Sequence, residues 1–154
     1  VGIRMGVQRD ADRKIRRVVV FDARRAQKSP LGVEQLMLNT THADGHRVRV
    51  GLFQDPGQAG KAQAASLVRM LAGFNARVWP ISGDKVTLFG PFSAQCEAGN
   101  VDFVRGSWNE AVFSVLEGFP DAKHDDDADA CSGAFNALAG GFAIAAQALS
   151  PAGL

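Results

Sequence analysis

The run His124-Asp125-Asp126-Asp127-Ala128-Asp129 constrains this chain more than any other stretch. It lies in residues 119–138, FPDAKHDDDADACSGAFNAL, and puts four of the sixteen acidic residues within five positions. An apolar run read as helical, 130–149, follows at once. Carboxylates are costly to bury unless charged partners or metals compensate them. Acids at the start of a buried helix therefore fit a divalent-metal site. They fit equally well a solvated first turn, where capping and the helix dipole favour Asp.

The 154 residues suffice for one domain with a sizeable core. With 17 Lys and Arg against 16 Asp and Glu, any nucleic-acid role must rest on local patches rather than on the overall field. The two cysteines, Cys96 and Cys131, give neither a disulfide framework nor a CxxC metal knuckle, which fits a reducing compartment. No signal peptide is expected from the opening residues. The apolar run 130–149 is broken by Ser132, Gly133, Asn136, Gly140, Gly141 and Gln147, so it reads as a buried helix rather than a membrane span. The first residue is Val1, and the chain is expected to be a fragment of something larger.

Residues 1–8 and 15–25 read as strands of an antiparallel hairpin whose turn, 9–14, carries Arg9, Arg13 and Lys14. Asp22 is an ordinary strand-end acid, and Arg24, Arg25 and Lys28 read as a solvated basic face. Ser29-Pro30 marks a helix start, with Val33, Leu36 and Met37 of 31–43 on its inner face. His42 and His46 straddle a turn at Asp44-Gly45 and are expected to be loop residues rather than ligands. A strand, 47–55, ends on Asp55, ahead of Pro56-Gly57. Strand ends are where an α/β sheet places its chemistry, although a turn bond to its own backbone explains Asp55 as well.

A helix over 57–73 carries Ala64, Leu67, Val68 and Leu71 as its apolar stripe, and a strand over 74–80 completes a βαβ unit. The string GQAGK is not a phosphate loop, because Ala62 follows the Lys and the glycine spacing is wrong. Lys61, near the helix start, is instead a candidate to face a DNA phosphate. The glycine-rich segment 81–100 is expected to be a functional loop or hairpin, with Lys85 its basic group. A short strand, 101–106, precedes a helix over 107–120. Ser107 and Glu110 have the spacing of a capping box there. Val112, Phe113 and Leu116 form its inner face, and Trp108 is assigned to core packing.

Phosphodiester hydrolysis needs an activated water and a means of holding charge on the leaving oxygen. Two divalent ions about 4 Å apart supply both. Mg²⁺ and Mn²⁺ prefer carboxylate oxygens and water. The equipment is three or four acids from separate elements. Asp55 and the adjacent Asp125 and Asp126 meet that description, and Asp129 lies one helical turn further on. His124 could touch a phosphate or order a water; a structural role fits equally. No Ser-His-Asp arrangement, Cys nucleophile or zinc ligand set is visible.

Taken in order, QDPGQAGKAQA (54–64), SGDK (82–85), PFSAQCEAGNV (91–101), GSWNEAVF (106–113) and FPDAKHDDDADACSGAFNAL (119–138) resemble the C-terminal nuclease domain of the large terminase subunit of tailed bacteriophages. The resemblance covers nearly the whole chain, and the motifs are far more specific together than singly. It implies an α/β, RNase H-like fold with a mixed central sheet flanked by helices. It implies a single domain over 1–154 and a metal-dependent endonuclease that cuts concatemeric double-stranded viral DNA during genome packaging. The implied cofactors are Mg²⁺ or Mn²⁺, two ions, on Asp55, Asp125 and Asp126, with Asp129 nearby. Lys61, Lys85 and His124 are the implied DNA contacts.

The implied partners are DNA, an ATPase domain, the small terminase subunit and the portal protein, in the cytoplasm of the infected host and outside the mature virion. No membrane is expected. Three departures stand out. The family's first catalytic Asp belongs to a strand ahead of what matches residues 1–7. Leu88 stands where relatives tend to have Arg, and Asp127-Ala128 fill the variable positions of HDDxxDA, where an extra acid raises repulsion unless it faces solvent. A catalytically incomplete domain that docks DNA or portal protein, and another RNase H-like nuclease such as a junction resolvase, are the alternatives.

Overall fold

A computed structural model describes residues 1–140. In chain order the elements are β1 (Gly2–Arg9), β2 (Ile15–Arg24), α1 (Pro30–Asp44), β3 (Arg49–Gln54) and α2 (Gln58–Met70). They continue with β4 (Asn75–Pro80), α3 (Lys85–Glu97), β5 (Val101–Phe103), α4 (Asn109–Gly118) and α5 (Asp126–Ala139). The chain divides into two compact units, one of residues 1–25 with 83 onward and the other of Ala26–Ser82. No helix among the described residues is long and apolar enough to cross a membrane.

The first unit is built on a mixed sheet ordered β1-β2-β5. β1 and β2 are antiparallel, and β5 runs parallel to β2 with Val18 opposite Val101. Strand side chains alternate between faces. Ile3, Met5 and Val7 therefore join Val18 and Val20 on one side, and Val18 and Val20 are fully buried. The hairpin turn is closed by Asp10, whose carboxylate accepts from the Lys14 amide at 2.9 Å. Arg13 sits there at φ 63°. From β1, the Arg9 guanidinium donates to the carbonyl of Leu138 at 2.5 Å.

α3 and α5 pack together, and α5 also lies against β1. Phe92, Cys131 and Phe135 complete the core with the two valines, and Phe89, Trp108 and Leu116 pack around it. The assignment of Trp108 to packing is borne out, and Gly106 has no room for a Cβ beside the indole ring.

The second unit holds α1 and a parallel pair, β3 and β4, joined by α2, as the βαβ reading expected. Ser29 caps α1 by accepting from the Gly32 amide at 3.3 Å, with Pro30 in the first turn. Leu52, Ala64 and Leu71 are its buried apolar residues. His46 stacks on Phe74 at 4.6 Å between ring centroids, and His42 meets the same ring edge-on at 4.8 Å. Neither histidine is drawn towards a carboxylate cluster.

Several expectations are corrected. Segment 81–100 is not a loop or hairpin: most of it is α3. Asp84 starts that helix, its carboxylate accepting from the Thr87 amide at 2.9 Å and from the Thr87 hydroxyl at 2.6 Å. Phe89 and Phe92 then give the helix an apolar face, which outweighs the helix-breaking Pro91 within it. Ser107 is not a cap. The turn is held instead by Asn109, whose side-chain oxygen accepts from the Gly106 amide at 2.6 Å and whose amide donates to the Val104 carbonyl. Val33 and Val68 are exposed rather than inward, at 40% and 38%, whereas Phe113, partly exposed, packs edge-on against Phe103 at 4.9 Å between ring centroids. The apolar helix starts earlier than expected, at Asp126, and Gly140 closes it in the left-handed conformation. The rest of the expected helix, 141–149, lies outside the described residues.

Candidate metal centre

The acidic run falls at the N-terminus of α5, after a cis Phe119–Pro120 peptide. Asp125 is the cap residue, and its carbonyl accepts from the Asp129 amide at 2.9 Å. Asp126, Asp127 and Asp129 occupy the first turn, where the helix dipole favours negative charge. Residues four apart share a helix face, so Asp125 and Asp129 come together. Asp127 is on the other side.

Lys85, the first residue of α3, closes the outer side of this arrangement. Its Nζ lies 2.6 Å from Asp125 Oδ2 and 2.6 Å from Asp129 Oδ2. The ammonium holds the Asp125 carboxyl below its ordinary range, and the two carboxylates raise the Lys85 pKa in return. All three side chains are more than a third exposed, at 54% for Lys85, 36% for Asp125 and 43% for Asp129. Water screens such pairs, so their contribution to stability is small.

Asp127 does not face solvent, so the repulsion from the extra acid is not relieved by water. Its side chain is fully buried, and the Arg25 guanidinium lies 2.6 Å from its Oδ2. Neither carboxylate oxygen accepts a hydrogen bond of good geometry. The pair is thus close in distance without an aligned donor. Burial pushes the Asp127 carboxyl above its ordinary value, and the nearby Arg25 offsets only part of that push. Arg25 is therefore not merely part of a solvated basic face. The sequence gives no sign of this pair, because its members are a hundred positions apart and each sits in a run of like charge. Arg24 pairs with Asp22 at 2.9 Å, in keeping with an ordinary role for that acid.

Two side-chain bonds fix α3 against α5. Ser132 Oγ donates to the Leu88 carbonyl at 2.7 Å, and Asn136 Nδ2 donates to the same oxygen at 2.9 Å. Leu88 lies one turn along from Lys85. The start of α3 thus borders the acidic run.

Lys85, Asp125 and Asp129 are brought together, while Asp126 and His124 are exposed beside them. Asp55 and Lys61 belong to the other unit. Asp55 is exposed just past the end of β3, and Lys61 is exposed in the first turn of α2. Gly60 is buried there, and a Cβ on it would collide with the Asp55 carbonyl, so a larger residue would displace Asp55. Among the described residues, no three His, Cys, Asp or Glu side chains come close enough to hold a metal ion. Asp125 and Asp129 nonetheless both reach one cation, the Lys85 ammonium.

A mixed sheet with covering helices defines an α/β domain. The family described as "Terminase RNaseH-like domain" matches residues 5–138, and the chain belongs to that family. The fold is accordingly α/β and RNase H-like, with a mixed sheet flanked by helices, and its general role is that of a terminase nuclease domain. Searches of the curated proteins and of the solved structures found no match.

Proposed function

We propose that the chain is a divalent-metal-dependent endonuclease domain that cuts concatemeric double-stranded viral DNA during genome packaging. The observation that carries this reading, within a family of terminase nuclease domains, is the convergence of Asp125 and Asp129 on one cation. Bound Mg²⁺ or Mn²⁺ would supply an activated water and a sink for charge on the leaving oxygen. Asp55, Asp125 and Asp126 are the proposed ligands, with Asp129 supporting them. Asp126 is exposed and Asp125 partly exposed, so an ion in solution can reach both. Lys61 and His124, both exposed, contact phosphates of the duplex. An ATPase domain, the small subunit and the portal protein are the proposed partners, in the host cytoplasm.

Incubation of the chain with plasmid DNA and Mn²⁺ tests this reading. Asp125→Asn and Asp126→Asn are each expected to cut at least about a hundredfold more slowly, the order of loss when a group that acts on transition-state charge is removed. Cutting at the wild-type rate by both variants would overturn the ligand assignment. A second reading is favoured by the ion pairs that already satisfy Asp125 and Asp129: a domain that docks DNA or portal protein without cleaving. It predicts DNA binding with no metal-stimulated nicking.

A further inference from the structure

We infer that the tip of the β1–β2 hairpin is a docking site for the phosphates of duplex DNA, carried on α5 at a fixed distance from the acidic turn. The inference rests on the reading of the chain as a domain that acts on DNA, and it does not depend on a bound metal.

Charge is spread unevenly along the chain. Nine of its seventeen Lys and Arg lie in residues 1–28, against three of its sixteen Asp and Glu. Five of the nine are engaged within the fold. Arg17, Arg24 and Arg25 pair with Asp102, Asp22 and Asp127, Arg9 donates to two carbonyls, and Arg4 lies over the Phe21 ring. Arg13, Lys14 and Arg16 differ. All three are exposed, and none of their side chains has a carboxylate partner among the described residues. Asp10 is turned to the Lys14 amide, which leaves Asp12 as the exposed acid of the turn. Three unpaired cations within four positions form the local patch that a chain of net charge +1 needs in order to hold a polyanion.

The turn does not use these side chains for itself. The Arg13 amide donates to the Asp10 carbonyl and the Asp10 amide to the Lys14 carbonyl, each at 3.0 Å. The Arg9 guanidinium holds the Arg13 carbonyl at 2.7 Å. Arg13 is also the one non-glycine residue among those described with a positive φ, 63°. A Cβ is disfavoured in that conformation, and glycine would make the same turn without the penalty. The backbone thus favours glycine where the chain carries an exposed cation, so the side chain serves something other than the turn. A backbone held this firmly presents its cations with little ordering left to lose on binding.

Arg9 ties the tip to the Leu138 carbonyl, at the C-terminal end of α5, whereas the acidic turn stands at the N-terminal end. The 14 residues of α5 rise about 20 Å. At 3.4 Å per nucleotide, that is about six base pairs of B-DNA. A duplex lying along α5 with one phosphate at the acidic turn therefore meets the hairpin about six base pairs away. Contacts of this kind fix the register and direction of the duplex and read no sequence.

Fluorescence anisotropy with a labelled duplex several times that span, in EDTA and over a range of NaCl concentrations, provides the test. Arg13→Ala/Lys14→Ala/Arg16→Ala is expected to bind about tenfold or more weakly at low salt, with the slope of log affinity against log salt shallower by about 2 to 3. Arg13→Gly is expected to lose about one unit of slope while melting no lower than the wild type, because it relieves the left-handed position. An arginine needed only for the turn would leave affinity untouched. Unchanged slopes in both variants overturn the docking site; plasmid cutting by the wild type with Mn²⁺ then leaves the nuclease reading standing. Shallower slopes without cutting by the wild type support the docking site and remove the nuclease step. A wild type that binds no duplex at low salt overturns both. Circular dichroism checks the fold of the triple variant, and Lys14→Ala/Arg16→Ala replaces it if it is unfolded.

Discussion

Asp127 bears a charge where the fold has least room for one. Its carboxylate is fully buried, and Arg25 approaches it without an aligned hydrogen bond. Its pKa is raised first by burial; Arg25 and the Val1 amino group oppose that shift, and Asp126 adds to it. A carboxyl with a raised pKa in the folded state binds its proton more tightly there than in the unfolded chain. The fold therefore gains stability as pH falls through the raised value towards the ordinary 3.8, and loses it as the group ionises. Asp127→Asn has no such charge to bury. It is expected to melt above the wild type at neutral pH, with the gap closing as pH is lowered. Scanning calorimetry across that range checks this, and a gap independent of pH would contradict it. Nothing in the HDDDADA run shows which acid turns inward. The i, i+4 relation of Asp125 and Asp129 was legible, but that of Asp127 to Arg25 depends on where β2 ends relative to α5.

At the scale of elements, the strands and the βαβ unit were legible because alternation and Gly-Pro punctuation state them locally. α3 was not, because its cues conflict. Gly83, Gly90 and Pro91 read as loop residues, while the cap formed by Asp84 with Thr87 lacks the acidic partner of a capping box. The helix is secured instead by tertiary packing, with Phe92 fully buried against Phe135 and Phe89. Phe92→Ala is accordingly expected to cost about 3–5 kcal/mol, the usual range for a buried aromatic removed from a core. Urea unfolding measures it; a loss below about 1 kcal/mol would mean that α3 is not anchored by this ring. Ser107 shows the opposite failure. The S-x-x-E spacing is present, yet Asn109 closes the turn from a neighbouring position.

For the whole molecule, the family was legible from the order of several short motifs, none of which is specific alone. Lys85 as the partner of two acids was not, because that contact spans forty positions and needs both helices in place. The net charge of +1 gives no general attraction for a polyanion. DNA binding by the chain is therefore expected to be weak and local, with log affinity falling against log salt at about −0.9 per phosphate neutralised. Filter binding over a range of NaCl concentrations checks this, and tight binding that survives high salt would contradict it.

The bond from Arg9 to the Leu138 carbonyl has a consequence for α5 as a unit. The helix carries carboxylates at its positive pole and receives a guanidinium at its negative pole, so both ends of one dipole are neutralised. The hairpin thereby acts as a stop against axial sliding. The height at which the acidic turn stands beside α3 is gauged from the far end of the helix, by a residue that precedes the turn by more than a hundred positions.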